Sequence, residues 1–383
     1  MTHDSQAPED LRTGAGGACE RCLRRSWLLA LLSARLEYRG REGRLLELLQ
    51  LSDEQLVQAV GGRRRVELRE RLSHFDPDAM STAPGVAAVC RHDRRYPRAL
   101  LDTPGPPMLH VAGSLEALCA PTERPVVAIV GSERASDYGR EMAASLARGL
   151  SASEITVAGT LCDGIAAAAH AGALEAGAPG IAVLGGGVDV AFAARRRRLY
   201  EAVRAGGCLV GELPCGMRAR RWALRAAERI VAALARLTVV VEAEDRARDL
   251  GCARIASALG RSVAAIPGRV TSPLSSGAHT LLREGACLVR GPADVLELLC
   301  GQETRAVHTR GDRLAARLRH TLERVGAGLD TPERLAAAGE DLGATLLALA
   351  ELELLGLLAR GDGGRYVPRE TLDASQRCGG AIR

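Results

Sequence analysis

The sequence predicts an α/β protein built on a Rossmann-like, doubly wound and mostly parallel sheet, and two observations support this. Short apolar runs recur from residue 87 onward, and several of them end in glycine. Ala- and Leu-rich stretches with helical character, such as YGREMAASLARGL, lie between these runs. Strands that are apolar along their whole length and alternate with helices are typical of a parallel sheet covered on both faces. Ligands are then expected at the carboxyl ends of the strands.

Eight runs within residues 85–300 are predicted to be the strands of this domain. In chain order they are MLHVAG, VVAIVG, ITVAG, GIAVLGGG, CLVGEL, LTVVVEA, SVAAIPG and ACLVRG. Each is short enough for a strand and is bounded by glycine, proline or charged residues. The sheet is therefore expected to be large.

Smaller domains are predicted on both sides of this core. Residues 17–78 have a helical pattern typical of a small SAM-like or helix-hairpin-helix domain, in which Ser52 and Gln55 have the spacing of a capping box. Residues 312–371 contain three helical stretches and then a turn at Gly363-Gly364, which predicts a winged helix. Residues 301–311 form the predicted linker, and 1–16 and 372–383 are predicted tails, the first of them disordered.

Composition narrows the class of protein. All 51 basic residues are arginine, the formal net charge is +5, and aromatic residues make up only 2%. Arginine grips phosphate with two parallel hydrogen bonds, although an all-arginine composition is also typical of a GC-rich genome. Few aromatic side chains leave few platforms for stacking bases. No apolar run reaches the roughly 18 to 20 residues needed to span a bilayer, and the start of the chain lacks a signal-peptide core, so we predict a cytoplasmic protein without membrane contact.

The eleven cysteines show no disulfide-framework spacing and are expected to be small core residues in a reducing compartment. Cys19 and Cys22 are the only close pair. A zinc site needs about four ligands, and no second Cys-x-x-Cys or paired histidine follows. We therefore predict no metal and no other cofactor.

The segment VVAIVGSERASDYG predicts a phosphate-binding turn, in which Gly131 and Ser132 end a strand and a helix resumes near Tyr138. Such a turn directs backbone N–H groups and the positive end of a helix dipole at an anion. The G-x-G-x-x-G spacing of dinucleotide sites is missing, and a tight turn without a ligand is the alternative. Gly159 and Gly164 follow the next strand. His170 lies in the helix after them, and because no serine or cysteine is placed as its nucleophile, we predict a structural role and no catalytic residue.

Two clusters of arginine follow later strands. One covers residues 195–198, and the other comprises Arg218, Arg220, Arg221 and Arg225 around Trp222. Charge runs are often simply solvated faces. Because both clusters follow strands of one sheet, they would also lie at the same edge as the Gly131 turn and form a groove for a nucleic-acid backbone.

The order and spacing of these blocks resemble the DNA-processing protein A (DprA/Smf) family. The resemblance runs from VAIVGS through AAAHAGAL and GELP to the final SGAHTLLREGACLV, over roughly residues 85–297. Tyr96-Pro97 and Pro106-Pro107 match the family's lead-in to the sheet. The resemblance implies a non-enzymatic protein that coats incoming single-stranded DNA, forms a homodimer and helps to load the recombinase RecA in natural transformation.

The family's basic groove is only partly matched here. Glu133 occupies the position of the family's arginine after Gly131-Ser132, and Arg134 comes one residue later. Arg229 keeps the register of the last arginine in the family's Phe-Pro-x-Arg-Asn-Arg block. The residues expected to bind DNA are Gly131, Ser132, Arg134, Gly159, Gly164, Arg195, Arg225, Arg229 and Arg248.

Two alternatives remain open from the sequence. Glu133, Asp163 and Glu228 within the groove favour a degenerate paralogue that serves as an oligomeric protein partner without affinity for DNA. A nucleotide-processing enzyme on a related Rossmann-like fold is the other alternative. That class uses a Pro-Gly-Gly-x-Gly-Thr turn followed by a catalytic glutamate, whereas here Val188 and Asp189 follow three glycines at 185–187.

Overall fold

The computed structural model describes residues 17–39, 44–77, 80, 83–101, 103–119, 124–178, 180–190, 196–246, 249–303, 316–326, 329, 331–339, 341–354, 357–360 and 365–368. Two compact units, 1–301 and 302–383, divide the chain. Several sequence predictions lie outside the described residues: Arg195, Arg248, Gly363, Gly364, both tails and most of the linker.

A nine-stranded sheet forms the centre of the first unit. Its strands are β1 (Val86–Cys90), β2 (Met108–Gly113), β3 (Val126–Val130), β4 (Thr156–Thr160), β5 (Gly180–Leu184), β6 (Cys208–Gly211), β7 (Leu237–Val240), β8 (Ser262–Ala265) and β9 (Cys287–Leu288). Their spatial order is β1-β2-β6-β5-β4-β3-β7-β8-β9. Neighbours from β6 to β9 are parallel, whereas β2 runs antiparallel to both β1 and β6. The predicted mostly parallel, doubly wound sheet is confirmed, and all eight predicted strands are present.

β1 is a strand that the sequence analysis did not predict. Its sequence, VAAVC, follows a Pro-Gly turn and pairs with β2 in register from Val86 and Ala112 to Cys90 and Met108. Only one edge of β1 is paired within the sheet, and its first two residues are only half buried. A short edge strand rich in alanine has weak β propensity of its own, so tertiary pairing decides its conformation.

Helices cover both faces of the sheet. They are α5 (Leu115–Cys119), α6 (Asp137–Ala152), α7 (Ile165–Glu175), α8 (Arg197–Gly206), α9 (Arg221–Leu234), α10 (Gly251–Ala258), α11 (Ser276–Arg283) and α12 (Pro292–Glu303). The apolar cluster on one face includes residues of α9, α10 and α11, and the cluster on the other includes residues of α6, α7 and α12. Apolar side chains on both faces explain why the strands carry near-continuous apolar sequence.

The amino-terminal helices pack against the sheet domain. They are α1 (Glu20–Arg39), α2 (Leu45–Gln50), α3 (Asp53–Val60) and α4 (Arg65–Ser73). Ser52 and Gln55 form the predicted capping box at the start of α3. The apolar core of these helices continues into α9, where it includes Trp222 and Ala226. Trp222 Nε1 donates a 3.0 Å hydrogen bond to Ser33 Oγ, which ties α9 to α1.

The second unit is small and has a core of its own. It contains α13 (Ala316–Gly326), α14 (Pro332–Ala337), α15 (Leu342–Leu354), β10 (Leu358–Arg360) and β11 (Tyr366–Pro368), and the two strands pair antiparallel. Leu335, Leu349 and Tyr366 are among the residues of its buried cluster. The assignment of this unit as a winged helix stays a prediction.

Candidate nucleic-acid interface

The topological switch point of the sheet lies between β3 and β7. From β3 the chain builds outward through β4, β5 and β6, and it then returns to place β7 on the other side of β3. In open α/β sheets, ligands bind in the crevice outside the carboxyl ends of the strands at this point. Here that crevice is lined by residues of three βα connections and of α9, including Gly131, Thr160 and Glu228.

The Gly131-Ser132 turn is tightly packed against the segment that follows β7. A Cβ atom on Gly131 would lie 2.3 Å from the carbonyl oxygen of Glu242, so only glycine fits. The Ser132 N–H donates to that same carbonyl at 2.7 Å, and the Arg134 N–H donates to Ser132 Oγ at 3.1 Å. Two backbone donors predicted to bind phosphate are therefore engaged within the protein.

A carboxylate of the chain itself occupies the start of α6. Glu242 is buried, and it accepts hydrogen bonds from Ser136 N at 2.9 Å and from Ser136 Oγ at 2.7 Å. Ser136 is also the N-cap of α6. The positive end of a helix dipole stabilises an anion, and here the protein supplies that anion. The sequence analysis missed Glu242, although it closes the strand sequence VVVEA.

Gly159 and Gly164 lie beside this turn and pack closely. Gly164 is the N-cap of α7 with φ +72°, and a Cβ there would lie 2.2 Å from the Ser132 carbonyl oxygen. The Ile165 N–H donates to that oxygen at 3.2 Å. Gly159 is buried in β4. A role of either glycine in phosphate binding stays a prediction.

Carboxylates surround the crevice. Glu133, Glu228 and Asp249 all line it, at the carboxyl ends of β3 and β7 and on α9. Cys162 and Cys252 also line it, and burial raises the pKa of Cys162 to about 11 and that of Cys252 well above its ordinary value. Both thiols are protonated at neutral pH. Glu133 and Glu228 thus lie where the sequence analysis placed acidic residues within the groove, and binding of phosphate there stays a prediction.

Exposed arginines follow the carboxyl ends of several strands at the same edge of the sheet, and we call them the edge arginines. They lie in the connection after β3, in the first turn of α8, and between β6 and the second turn of α9. None of them makes an ion pair with another residue of the described ranges. They are Arg134, Arg197, Arg198, Arg218, Arg220, Arg221 and Arg225. Arg196 differs from them, because it forms a bidentate ion pair with Asp163 at 2.7 and 2.8 Å.

The prediction that Arg229 lines the groove is wrong. Its side chain is 4% exposed and pairs with the equally buried Glu212 at 2.7 Å. Two further hydrogen bonds join the guanidinium to the carbonyl oxygens of Ala226, at 2.7 Å, and Pro104, at 3.3 Å. Arg225, one turn earlier on α9, is exposed as predicted. Arg229 is therefore part of the core beneath the edge.

Residues 87–300 match the family described as DNA recombination-mediator protein A. The putative DNA processing protein DprA of Mycobacterium tuberculosis (strain H37Rv) is 38% identical over 264 residues, which cover 67% of this chain and 68% of that protein. Protein Smf of Escherichia coli is 33% identical over 279 residues, or 70% and 73% of the two chains. The chain belongs to the DprA/Smf family.

The solved structures agree with this membership. The X-ray structure of DNA processing protein A from Streptococcus pneumoniae superposes with a TM-score of 0.58 and 29% identity, covering 72% of this chain and 95% of that one. The superposed part of this chain is longer than the family match over residues 87–300. The two proteins therefore share the sheet and the helical layers that cover it. In the described part of the chain, no helix is both long and apolar enough to cross a membrane.

The glycines at 185–187 are packed closely against the segment that leads into α9. A Cβ on Gly185 would lie 2.7 Å from Leu224 N, and one on Gly186 would lie 2.8 Å from Ala219 N. The start of α9 therefore fills the space beside Gly185, and the residues just before α9 fill the space beside Gly186. Asp189 accepts from the Gly216 N–H at 2.9 and 3.0 Å, so this carboxylate holds a neighbouring loop.

His170 lies in α7, and its structural role stays a prediction. It is fully buried, and burial lowers its pKa to about 4 against a smaller opposing effect of the Gly159 and Thr160 backbone. The imidazole is thus neutral at physiological pH. The structure also shows a group of ligand-type residues that the sequence analysis did not bring together. A second pair of ligand-type residues exists, because Cys90 and His92 lie beside Cys19 and Cys22.

Proposed function

We propose that this chain binds single-stranded DNA through the edge arginines, as a non-enzymatic, cytoplasmic DprA-type protein that acts in DNA recombination and transformation. The observation that carries this proposal is the set of exposed arginines, unpaired with described residues, at the carboxyl edge of the sheet. A guanidinium that no carboxylate neutralises is available for a phosphate. Homodimerisation and loading of RecA follow from family membership alone and belong to the same proposal.

The path of the DNA follows from the charges at the edge. None of the edge arginines lines the switch-point crevice, whose lining includes Glu133, Glu228 and Asp249. Arg197 and Arg198 begin α8, whereas Arg220 and Arg221 begin α9. The DNA strand is therefore expected to cross the starts of α8 and α9, where these exposed arginines lie. The backbone N–H of Trp222, in the first turn of α9, already donates to the Glu37 carboxylate at 3.1 Å. We therefore expect side chains, and not the backbone at the start of α9, to hold the phosphates.

The affinity for single-stranded DNA is expected to fall steeply as the salt concentration rises, because the contacts are to phosphates. It should depend only weakly on base sequence, since few aromatic residues are available to stack on bases. If about five phosphates are contacted, affinity for oligo-dT should fall roughly a hundredfold between 50 and 200 mM salt. The Arg221→Ala/Arg225→Ala double variant should weaken binding by at least about a hundredfold, because each of the two lost charged hydrogen bonds contributes about 1.5 to 3 kcal/mol.

Fluorescence anisotropy of labelled oligo-dT at two salt concentrations measures both effects. Arg148→Ala is the matched control, because Arg148 is a half-exposed arginine near the far end of α6 and pairs with Glu175. Absence of oligo-dT binding by the unaltered chain even at low salt would replace this proposal with the degenerate, protein-binding paralogue. Equal weakening by Arg148→Ala would refute the assigned path.

A second prediction concerns Glu133 and Arg134, where the chain departs from its family. Both side chains are exposed. If Arg134 takes over the family arginine's role, Arg134→Ala should weaken oligo-dT binding about tenfold or more. Glu133→Arg should strengthen binding and steepen the salt dependence by nearly one phosphate contact. Fluorescence-anisotropy titrations of oligo-dT at the two salt concentrations measure both effects. Unchanged affinity in Arg134→Ala, together with strong gain in Glu133→Arg, would mean that Arg134 only faces solvent.

A further inference from the structure

Four side chains with metal-ligating atoms meet where the amino-terminal helices join the sheet. Cys19 Sγ, Cys22 Sγ, Cys90 Sγ and His92 Nδ1 all lie within 4.8 Å of one another. The distances from His92 Nδ1 to the three sulfurs are 3.3, 3.6 and 3.8 Å. We infer that these residues form a structural zinc site with three thiolate ligands and one imidazole ligand, which fastens α1 to the edge strand β1.

The spacing of the ligand atoms matches tetrahedral zinc. With Zn–S near 2.3 Å and Zn–N near 2.0 to 2.1 Å, a nitrogen and a sulfur ligand are separated by about 3.6 Å. The three observed N–S distances lie on both sides of this value. Three sulfurs and one nitrogen are also a ligand set that zinc prefers. A disulfide would join two of the sulfurs and would leave the third sulfur and the imidazole unexplained.

Backbone hydrogen bonds hold both ligand pairs in tight turns. The N–H groups of Cys22 and Leu23 each donate to the Cys19 carbonyl oxygen at 3.0 Å, so the first pair lies in the opening turn of α1. The Asp93 N–H donates to the Cys90 carbonyl oxygen at 2.8 Å, which turns the chain back at the end of β1 and places His92. The Cys19 N–H points to Cys90 Sγ at 3.5 Å, as expected for a sulfur that accepts hydrogen bonds.

Burial and charge identify the kind of site. All three cysteines are buried, and only His92 is exposed. Four protein ligands leave no open position for a water or substrate, which is typical of structural zinc. Three thiolates and a neutral imidazole around Zn²⁺ carry a net charge of −1. Arg21 and Arg91 line the groove beside Cys22 and His92, whereas Arg24 in the same groove pairs with Asp53.

The site joins two segments that are distant in the sequence, since Cys22 and His92 are 70 positions apart. Through α1 it also reaches the proposed DNA-binding edge, since Ser33 and Glu37 of α1 hold Trp222 at the start of α9. The assignment of zinc does not depend on DNA binding. It rests on the four ligand atoms alone.

Metal analysis of the purified full-length chain tests the inference. About one zinc per chain is expected by inductively coupled plasma mass spectrometry, in line with a single four-ligand site. Cys22→Ser and Cys90→Ser should each lose most of this zinc. Cys252→Ser is the matched control, because Cys252 is a buried cysteine on α10 outside the cluster, and it should keep the metal.

Cobalt substitution keeps the test decisive if a cysteine variant fails to fold. The unaltered chain, stripped of metal with a chelator and given Co²⁺, should show the intense visible bands of tetrahedral cobalt with sulfur-to-metal charge transfer. Zinc should then displace the cobalt and abolish these bands. Purified chain without zinc and without a tetrahedral cobalt spectrum would overturn the inference. So would a disulfide between two of these cysteines in metal-free protein, or equal zinc loss in Cys252→Ser.

Discussion

Arg229→Ala is expected to lower the free energy of unfolding of the first unit by about 3 to 5 kcal/mol, the usual loss when one partner of a buried ion pair is removed. Arg229 and Glu212 are only 4% and 7% exposed, and their charged atoms are 2.7 Å apart. Without the guanidinium, the Glu212 carboxylate stays buried without its partner. The carbonyl oxygens of Pro104 and Ala226 also lose a donor.

Urea unfolding followed by tryptophan fluorescence measures this loss, because both tryptophans, Trp27 and Trp222, lie in the first unit. Arg225→Ala is the matched control on the same helix. As an exposed arginine, it should change the unfolding free energy by no more than about 0.5 kcal/mol. The double variant Glu212→Leu/Arg229→Met removes both charges at similar volume and should recover most of the stability. Equal, small effects of Arg225→Ala and Arg229→Ala would contradict the buried pair.

Acidification is expected to destabilise the first unit through two buried histidines. Burial lowers the pKa of His110 and of His170 to about 4 in the folded protein. The unfolded chain has ordinary histidines, with a pKa of about 6.5, so between these values it binds more protons than the folded chain. Stability therefore falls as the pH falls, beginning near pH 6.5 and ending near pH 4. Between pH 7.5 and 5, each histidine should contribute a loss of about 2 kcal/mol.

The hydrogen bonds of His110 agree with a neutral ring. Ser26 Oγ donates to the Glu212 carbonyl oxygen at 2.8 Å, so the 3.3 Å contact with His110 Nε2 has the imidazole as donor. Nδ1 is buried without a partner and is the atom that acid would protonate. Both rings lie beneath the helices of the first unit, where a charge has no access to water.

His170→Leu should remove about 2 kcal/mol of the loss between pH 7.5 and 5, because a leucine takes up no proton. The measurement is again urea unfolding by tryptophan fluorescence at the two pH values. His74→Gln is the control, since His74 is exposed at the end of α4 and its removal should leave the acid loss unchanged. An undiminished loss in His170→Leu would show that His170 does not contribute to it.

Local sequence determined the regular elements of this protein. Eight strands could be located because apolar runs such as VVAIVG are buried on both faces and carry their pattern in consecutive residues. The capping box at Ser52 and Gln55 depends on residues three apart, so it was also predictable. Family membership followed from the order of such blocks. The exposed position of Arg225 agreed with the expectation for a charged helix face.

The predictions that failed depended on distant parts of the chain. Arg225 and Arg229 are one helical turn apart, and helical periodicity places both on one face of α9. Tertiary packing places Glu212 and the Pro104 carbonyl oxygen against Arg229. Arg229 is therefore buried in the core and does not line the groove. Local sequence around the Gly131 turn likewise gave no sign of the Glu242 carboxylate that the fold places at the start of α6.

The cysteine cluster also combines spacings that local sequence contains with a placement that only tertiary packing provides. The spacing of Cys19 and Cys22 was visible, and so was Cys90-Arg91-His92, but nothing local connects residues 70 positions apart. β1 was not predicted, and it is β1, through its pairing with β2, that places Cys90 beside α1. Periodicity and spacing record which residues are neighbours along one element. Packing of one element on another determines that Arg229 is buried and that Glu242 lies at the start of α6. It also determines that the three cysteines and His92 lie together.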